Sequence, residues 1–156
     1  MWYYLCPEKI ETRPIGFVKR TSEEDVKDKS LVSEIVLEKD FTKALDGIED
    51  FSHVFVIYWM HKMPRLEKAA LKIHPRGESG LPLVGTLATR GPNHPNPIGL
   101  TLVEVVKRKE NALFVRGLDA YDGTPVLDIK PYGCPWEVVA DFRAPKWFYE
   151  NQPSSL

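Results

Sequence analysis

The sequence predicts an all-β fold: one β-barrel-like domain of about six strands with one or two short helices over residues 1–150, followed by a tail at 151–156. Three observations predict it. Runs of β-branched and aromatic residues recur along the chain, separated by Gly, Pro and Asn turns, as in closed or nearly closed β-architectures. Between the runs there are no long amphipathic helices, which the crossovers of a parallel sheet require. Eight of the 13 prolines gather in three stretches, Pro75 to Pro82, Pro92 to Pro97 and Pro125 to Pro135. Proline fixes φ and lacks a backbone donor, so these stretches are loops or strand edges.

The elements follow in chain order. Pro14 to Val18 is short and apolar, a first strand. Thr21 to Ser30 is dense in charge, a solvated loop or short helix. Leu31 to Glu38 is a strand. Asp40 to Ile48 is one short helix, with Asp40 as N-cap and Gly47 near its end. Ser52 to Met60 (SHVFVIYWM) carries almost no charge and is expected to be a central strand buried on both faces. Pro64 to Ile73 is expected to be a helix with Pro64 in its first turn. Leu83 to Thr89, Ile98 to Lys107, Ala112 to Leu118 and Val126 to Ile129 are strands. In Ile98 to Val106 both parities hold apolar residues, which marks an inner strand rather than an amphipathic edge.

At 156 residues the chain is long enough for one real core. Lys plus Arg is 21 against 22 for Asp plus Glu, a net charge of −1. That balance argues against indiscriminate nucleic-acid binding through overall charge and leaves room for a local basic patch. Two cysteines, Cys6 and Cys134, make no disulfide framework. No apolar stretch reaches the ~20 residues that span a bilayer, and MWYYLCPEKI lacks a basic start and long apolar run. A cytoplasmic setting without membrane contact is expected. The cysteines with His53, His61, His74 and His94 show no metal-ligand spacing, so no metal is expected. No G-x-G-x-x-G follows a strand, so nothing points to a doubly wound dinucleotide fold.

Two stretches are more specific: ATRGPNHPNPIGLTLVEV, Ala88 to Val105, and GLDAYDGTPVLDIKPY, Gly117 to Tyr132. With RPIGFV from Arg13 and ALDGIEDFSHVFVIYWMHK from Ala44, they resemble the TsaA-like (TrmO-type) family over roughly Ile15 to Tyr132. The resemblance implies a six-stranded barrel, usually a homodimer, that binds S-adenosyl-L-methionine. It further implies methyl transfer to the exocyclic nitrogen of threonylcarbamoyl-adenosine next to the tRNA anticodon. It assigns His61, Lys62, Arg90, Leu100, Leu118, Asp119, Ala120 and Tyr121 to the cofactor. The sequence departs from the family pattern at His94, where Arg is usual before Pro-Asn-Pro, and at Lys62, where Gln is usual. The family's Pro-Arg-Gln loop has no counterpart between Lys19 and Leu31. A different RNA or small-molecule substrate, or cofactor binding without catalysis, are the alternatives.

Methyl transfer from a sulfonium is an in-line displacement, which needs the reacting atoms held ~3 Å apart and collinear. The target nitrogen is a poor nucleophile, so an acceptor for its proton helps. Asp128 and Lys130 share one strand face, with Tyr132 just beyond. Asp128 or Tyr132 is a candidate catalytic group, alongside a structural role for Asp122-Gly123-Thr124-Pro125 as a turn with Asp in first position. Asn96, fixed between two prolines, is a third candidate, since its amide can read an adenine edge. Arg90 can grip a carboxylate, the cofactor's or the threonyl group's. For substrate and tRNA, the candidates are His94, Lys130 and the run Arg65, Lys68, Lys72 and Arg76, part of a locally basic segment. A second basic spot, Lys107 to Lys109, marks a hairpin end.

Overall fold

Alternating residues along each strand put one set of side chains inside and the other outside, and the register between strands then decides which chemistry meets at each end. A computed structural model describes residues 9–20, 28–63, 70–133 and 135–149. Its principal strands are β1 (Gly16–Lys19), β2 (Val32–Leu37), β3 (His53–Trp59), β6 (Ile98–Lys109), β7 (Ala112–Arg116) and β8 (Pro125–Pro131). They close in the order β1-β2-β7-β6-β3-β8, every neighbouring pair antiparallel. Closure removes the unpaired edges an open sheet would expose. A separate pair, β4 (Lys72–Ile73) and β5 (Val84–Gly85), lies outside the barrel sheet. A four-residue helix, α1 (Lys146–Tyr149), follows.

The inward set is aliphatic. Val18, Ile35, Val54, Val56, Val103, Leu113, Val115 and Val126 are almost wholly buried. Each such side chain contributes about 1.5–3 kcal/mol relative to leaving it in water. One end of the barrel is covered by two 3-10 segments, Lys39–Leu45 and Ile48–Asp50, from which Leu45, Phe41 and Ile48 pack onto the core. Arg108 fastens them: its guanidinium lies 2.8 Å from Asp46 and 3.7 Å from Glu49 and donates to the Thr42 carbonyl. The other end, where β3 finishes and β6 begins, is open.

Several expectations change here. The single helix over Asp40 to Ile48 is two 3-10 segments divided at Gly47, whose φ is 84°, and Asp40 lies inside the first segment rather than capping it. β3 is buried on one face only: Val54, Val56 and Tyr58 point inward, while Phe55, Ile57 and Trp59 are half-exposed on the outer surface. A barrel one residue thick has solvent or a partner outside it, so an uncharged strand need not be covered twice. The helix over Pro64 to Ile73 lies outside the described residues at 64–69, and its end is strand β4. Leu83 to Thr89 yields only the two-residue β5 and a 3-10 turn at Thr86–Ala88. The turn before β8 runs from Tyr121 to Thr124, so Asp122 holds its second position, and Gly123 adopts the positive φ that the third requires.

Candidate functional site

At the open end the register brings three segments distant in sequence to one place. β3 pairs with β6 from His53↔Glu104 to Trp59↔Ile98, so the residues after Trp59 meet the beginning of β6. The Met60 amide donates to the Pro97 carbonyl at 2.8 Å, which fixes the proline-rich turn against the strand end. The turn after β7 crosses the same end. Arg20 holds it by donating through Nη1 to the carbonyls of Leu118, 3.3 Å, and Ala120, 3.2 Å, while the Arg20 amide donates to Asp122.

The result is a cleft of about 710 Å³, within the usual size of a small-molecule site. Its walls include Met60 to Met63, Thr89 to Pro92, Ile98 to Leu102, Asp119 to Tyr121, His94, Thr124 and Lys29. Of the residues singled out in the sequence, His61, Lys62, Arg90, His94, Leu100, Asp119, Ala120 and Tyr121 line it together. His61 Nδ1 lies 3.3 Å from the Thr124 hydroxyl. Lys62 Nζ sits 4.4 Å from the centroid of the Tyr121 ring, a cation over its face. Arg90 donates through Nη2 to the Leu100 carbonyl at 2.8 Å, and His94 Nε2 lies 3.0 Å from the Thr89 carbonyl.

Asp119 is the acidic side chain among the described residues of the cleft wall, which also carries Lys29, Lys62 and Arg90. Its Oδ1 accepts from the Tyr58 hydroxyl at 3.0 Å and from the Thr101 hydroxyl, and Lys29 Nζ is 3.8 Å from Oδ2. Burial pushes the Tyr58 hydroxyl up to about 12, with the neighbouring Asp119 charge acting in the same direction. Tyr58 therefore remains a donor throughout the physiological range. Tyr58, Thr101, Lys29 and Arg20 were not reached from the sequence. The available signal was parity: Tyr58 and Thr101 fall on the inward sets of Val54, Val56 and Val103, polar positions in otherwise aliphatic rows.

The remaining candidates lie elsewhere. Leu118 is buried behind the turn and meets the site only through its neighbours. Asn96 is exposed and outside the cleft wall, with its carbonyl accepting from the Ile98 amide at 2.7 Å. Asp128 and Lys130 stand opposite Ile57 and Phe55 on the outer face of the barrel and pair with each other at 2.8 Å. A register shift between Ile57 and Tyr58 turns them outward. The Lys130 ammonium is pushed up by its hydrogen bond to Asp128. The Tyr132 amide donates to the His53 carbonyl, at the closed end of β3. That is roughly 20 Å of strand from Trp59.

The basic run divides too. Lys72 is exposed on β4, Arg76 pairs with Glu78 at 2.8 Å, and Arg65 and Lys68 lie outside the described residues. Lys107 to Lys109 does end a hairpin, but Arg108 is neutralised by Asp46 and Glu49, and Lys107 lies over Phe114. Among the described residues no group of His, Cys, Asp and Glu could hold a metal ion, and no helix is long and apolar enough to cross a membrane.

Residues 20–136 match the tRNA-methyltransferase O N-terminal domain family. A probable S-adenosyl-L-methionine-binding protein of Methanothermobacter thermautotrophicus is 44% identical over 130 residues, covering 80% of this chain and 90% of that protein. The tRNA (adenine(37)-N6)-methyltransferase of Mus musculus is 42% identical over 103 residues, covering 66% of this chain but only 22% of its own length. A crystal structure of TrmO from Pseudomonas aeruginosa superposes with a TM-score of 0.69 at 30% identity, covering 89% of this chain and 62% of that one. The chain thus spans nearly all of the archaeal relative and less than two thirds of the solved TrmO chain. The barrel, the cleft-lining stretches and these likenesses agree: the chain belongs to the tRNA-methyltransferase O N-terminal domain family.

Proposed function

We propose that the chain binds S-adenosyl-L-methionine in the open-end cleft and transfers its methyl group to the exocyclic nitrogen of threonylcarbamoyl-adenosine beside the tRNA anticodon. The observation that carries this reading is the convergence of the His61–Lys62 strand end, the Arg90 turn and the Asp119–Tyr121 turn on one cavity. The lining suits the cofactor. Met60, Ile98, Leu100 and Leu102 offer apolar wall for its ring and thioalkyl parts, and Arg90 and Lys62 offer cations for its carboxylate. The bound sulfonium supplies an activated methyl group and its own leaving group. The chain's residues then have only to orient, exclude water and accept a proton.

Surplus positive charge from Lys29, Lys62 and Arg90 also suits an acceptor bearing a carboxylate and a phosphate, as a threonylcarbamoyl nucleotide does. His94 in the cleft wall and the exposed Lys72 are the remaining candidates for the tRNA contact. A homodimer, which the family resemblance implies, is part of the proposal. Sedimentation of the purified chain at monomer mass removes that part.

The test has two arms. Calorimetry with S-adenosyl-L-methionine measures binding, and nucleoside mass spectrometry of tRNA incubated with protein and cofactor measures transfer. Absence of binding at millimolar cofactor ends the reading. Binding without a methylated product supports a cofactor-binding module instead, the activity printed in the names of the archaeal relatives.

A further inference from the structure

We infer that the side chain of Asp119 takes the proton from the nitrogen being methylated, and that Tyr58 and Thr101 are the positioning residues that aim it. The inference rests on the proposed methyl transfer and deepens it, because neither Asp128 nor Tyr132 reaches the cleft of its own chain.

The device is built on the inside of the barrel. Tyr58 and Thr101 are 5% and 6% exposed, on adjacent strands β3 and β6. Their hydroxyls lie 3.3 Å apart, and both reach Asp119 Oδ1. Two short polar arms thus rise from an aliphatic core to grip one oxygen of a carboxylate whose side chain remains 42% exposed in the cleft. A hydroxyl buried among valines would be costly without such a partner. Among the described residues Oδ2 has only Lys29 near it, at 3.8 Å, so it remains an acceptor for a ligand group.

Gly99 makes the reach possible. It faces Tyr58 directly across the ladder, and a Cβ there would lie 2.2 Å from two atoms of the tyrosine ring. The ring occupies the space of the missing side chain. Any other residue at 99 would drive the phenol, and with it the grip on Asp119, out of place.

The balance closes without another reactant. Asp119 accepts the N–H proton as nitrogen bonds to the methyl carbon, and the electron pair of the broken carbon–sulfur bond stays on sulfur, leaving a neutral thioether. The exposed carboxyl then returns its proton to water. Arg20, Tyr58 and the Thr124 amide hold the carbonyls of Leu118 to Tyr121, so the turn stays fixed while the Asp119 carboxylate acts on the acceptor.

The experiment compares wild type with Asp119→Asn, Tyr58→Phe, Thr101→Val and Thr101→Ser, measuring cofactor affinity by calorimetry and kcat and KM with tRNA. Asparagine keeps the shape and cannot take the proton. We expect Asp119→Asn to lower kcat on the order of 100-fold or more while leaving cofactor affinity within about threefold. Tyr58→Phe and Thr101→Val should each lower kcat roughly tenfold with KM unchanged, and Thr101→Ser should restore it. Full kcat in Asp119→Asn overturns the inference and leaves the methyltransferase reading standing. Lost cofactor affinity with kcat intact at saturation overturns it too, making the carboxylate a cofactor ligand. A wild-type chain that neither binds cofactor nor methylates tRNA takes both down.

Discussion

Arg90 is the residue on which the carboxylate question turns, and its surroundings set the size of the effect. The side chain is exposed and spends one donor on the Leu100 carbonyl at 2.8 Å, leaving the rest of its five N–H groups for a ligand. A hydrogen bond to a charged partner contributes about 1.5–3 kcal/mol. Solvent around the guanidinium places Arg90 at the lower figure, which is about a tenfold change in affinity. Arg90→Ala should therefore weaken S-adenosyl-L-methionine binding about tenfold in calorimetry and barely move the melting temperature, because nothing buried is lost. Which carboxylate it grips follows from a cycle with the decarboxylated donor. If Arg90 holds the donor's carboxylate, deleting the carboxylate costs the wild type about tenfold and the variant almost nothing, a coupling near 1.4 kcal/mol. Independent, additive losses would refute the contact. A rise in KM for tRNA alone would then move Arg90 to the threonyl group.

Further outcomes follow from the same geometry. Arg20→Ala removes the two carbonyl contacts that hold the turn at Leu118 and Ala120. It should weaken cofactor binding several-fold by calorimetry while the far-ultraviolet dichroism of the barrel stays unchanged. Leu113→Ala opens a cavity beneath β7 at a side chain with no exposure and should cost about 2–5 kcal/mol in urea unfolding. The folded-state pKa of Tyr58 is raised from 10.0 to about 12, so its stabilising contribution is whole below pH 10 and is lost as pH climbs toward 12. Urea midpoints should fall across that window more steeply in wild type than in Tyr58→Phe, and equal slopes would remove the buried phenol as the cause.

The strands of the barrel were legible because period-two patterns and proline punctuation are local. Ile98 to Lys107 and Ala112 to Leu118 declared themselves by β-branched residues around the turn at Glu110 and Asn111, and that hairpin is present. The inside and outside of a strand were harder. In β6 the larger apolar residues Ile98, Leu100 and Leu102 face outward, and the inward set begins with Gly99 and Thr101. Hydrophobicity alone assigns those faces in reverse. What decides them is the space inside the barrel, which the Tyr58 ring already fills, and that is set by a strand about forty residues away. The segment Lys39 to Asp50 failed for another reason: two 3-10 turns carry the same apolar spacing as one short helix until Gly47 breaks them.

A similar non-local cause separated the site residues. The motif stretch from Gly117 to Tyr132 is continuous in sequence, and reading it as one unit put Asp119, Asp128 and Tyr132 in a single cavity. In space it begins at the open end, runs the length of β8 and finishes at the closed end beside His53. A strand cannot keep both of its ends in one site, so a motif that includes a whole strand must divide its duties. Its first half, the turn held by Arg20, supplies the cleft. Its second half closes the barrel, through Val126 against Gly16 on one side and Val56 against Ile129 on the other. Asp128 is turned outward by the register shift at Ile57, the same shift that lets Ile129 pack against the core. Under the proposed transfer, the acceptor for the nitrogen's proton must therefore come from the open end, where Asp119 stands.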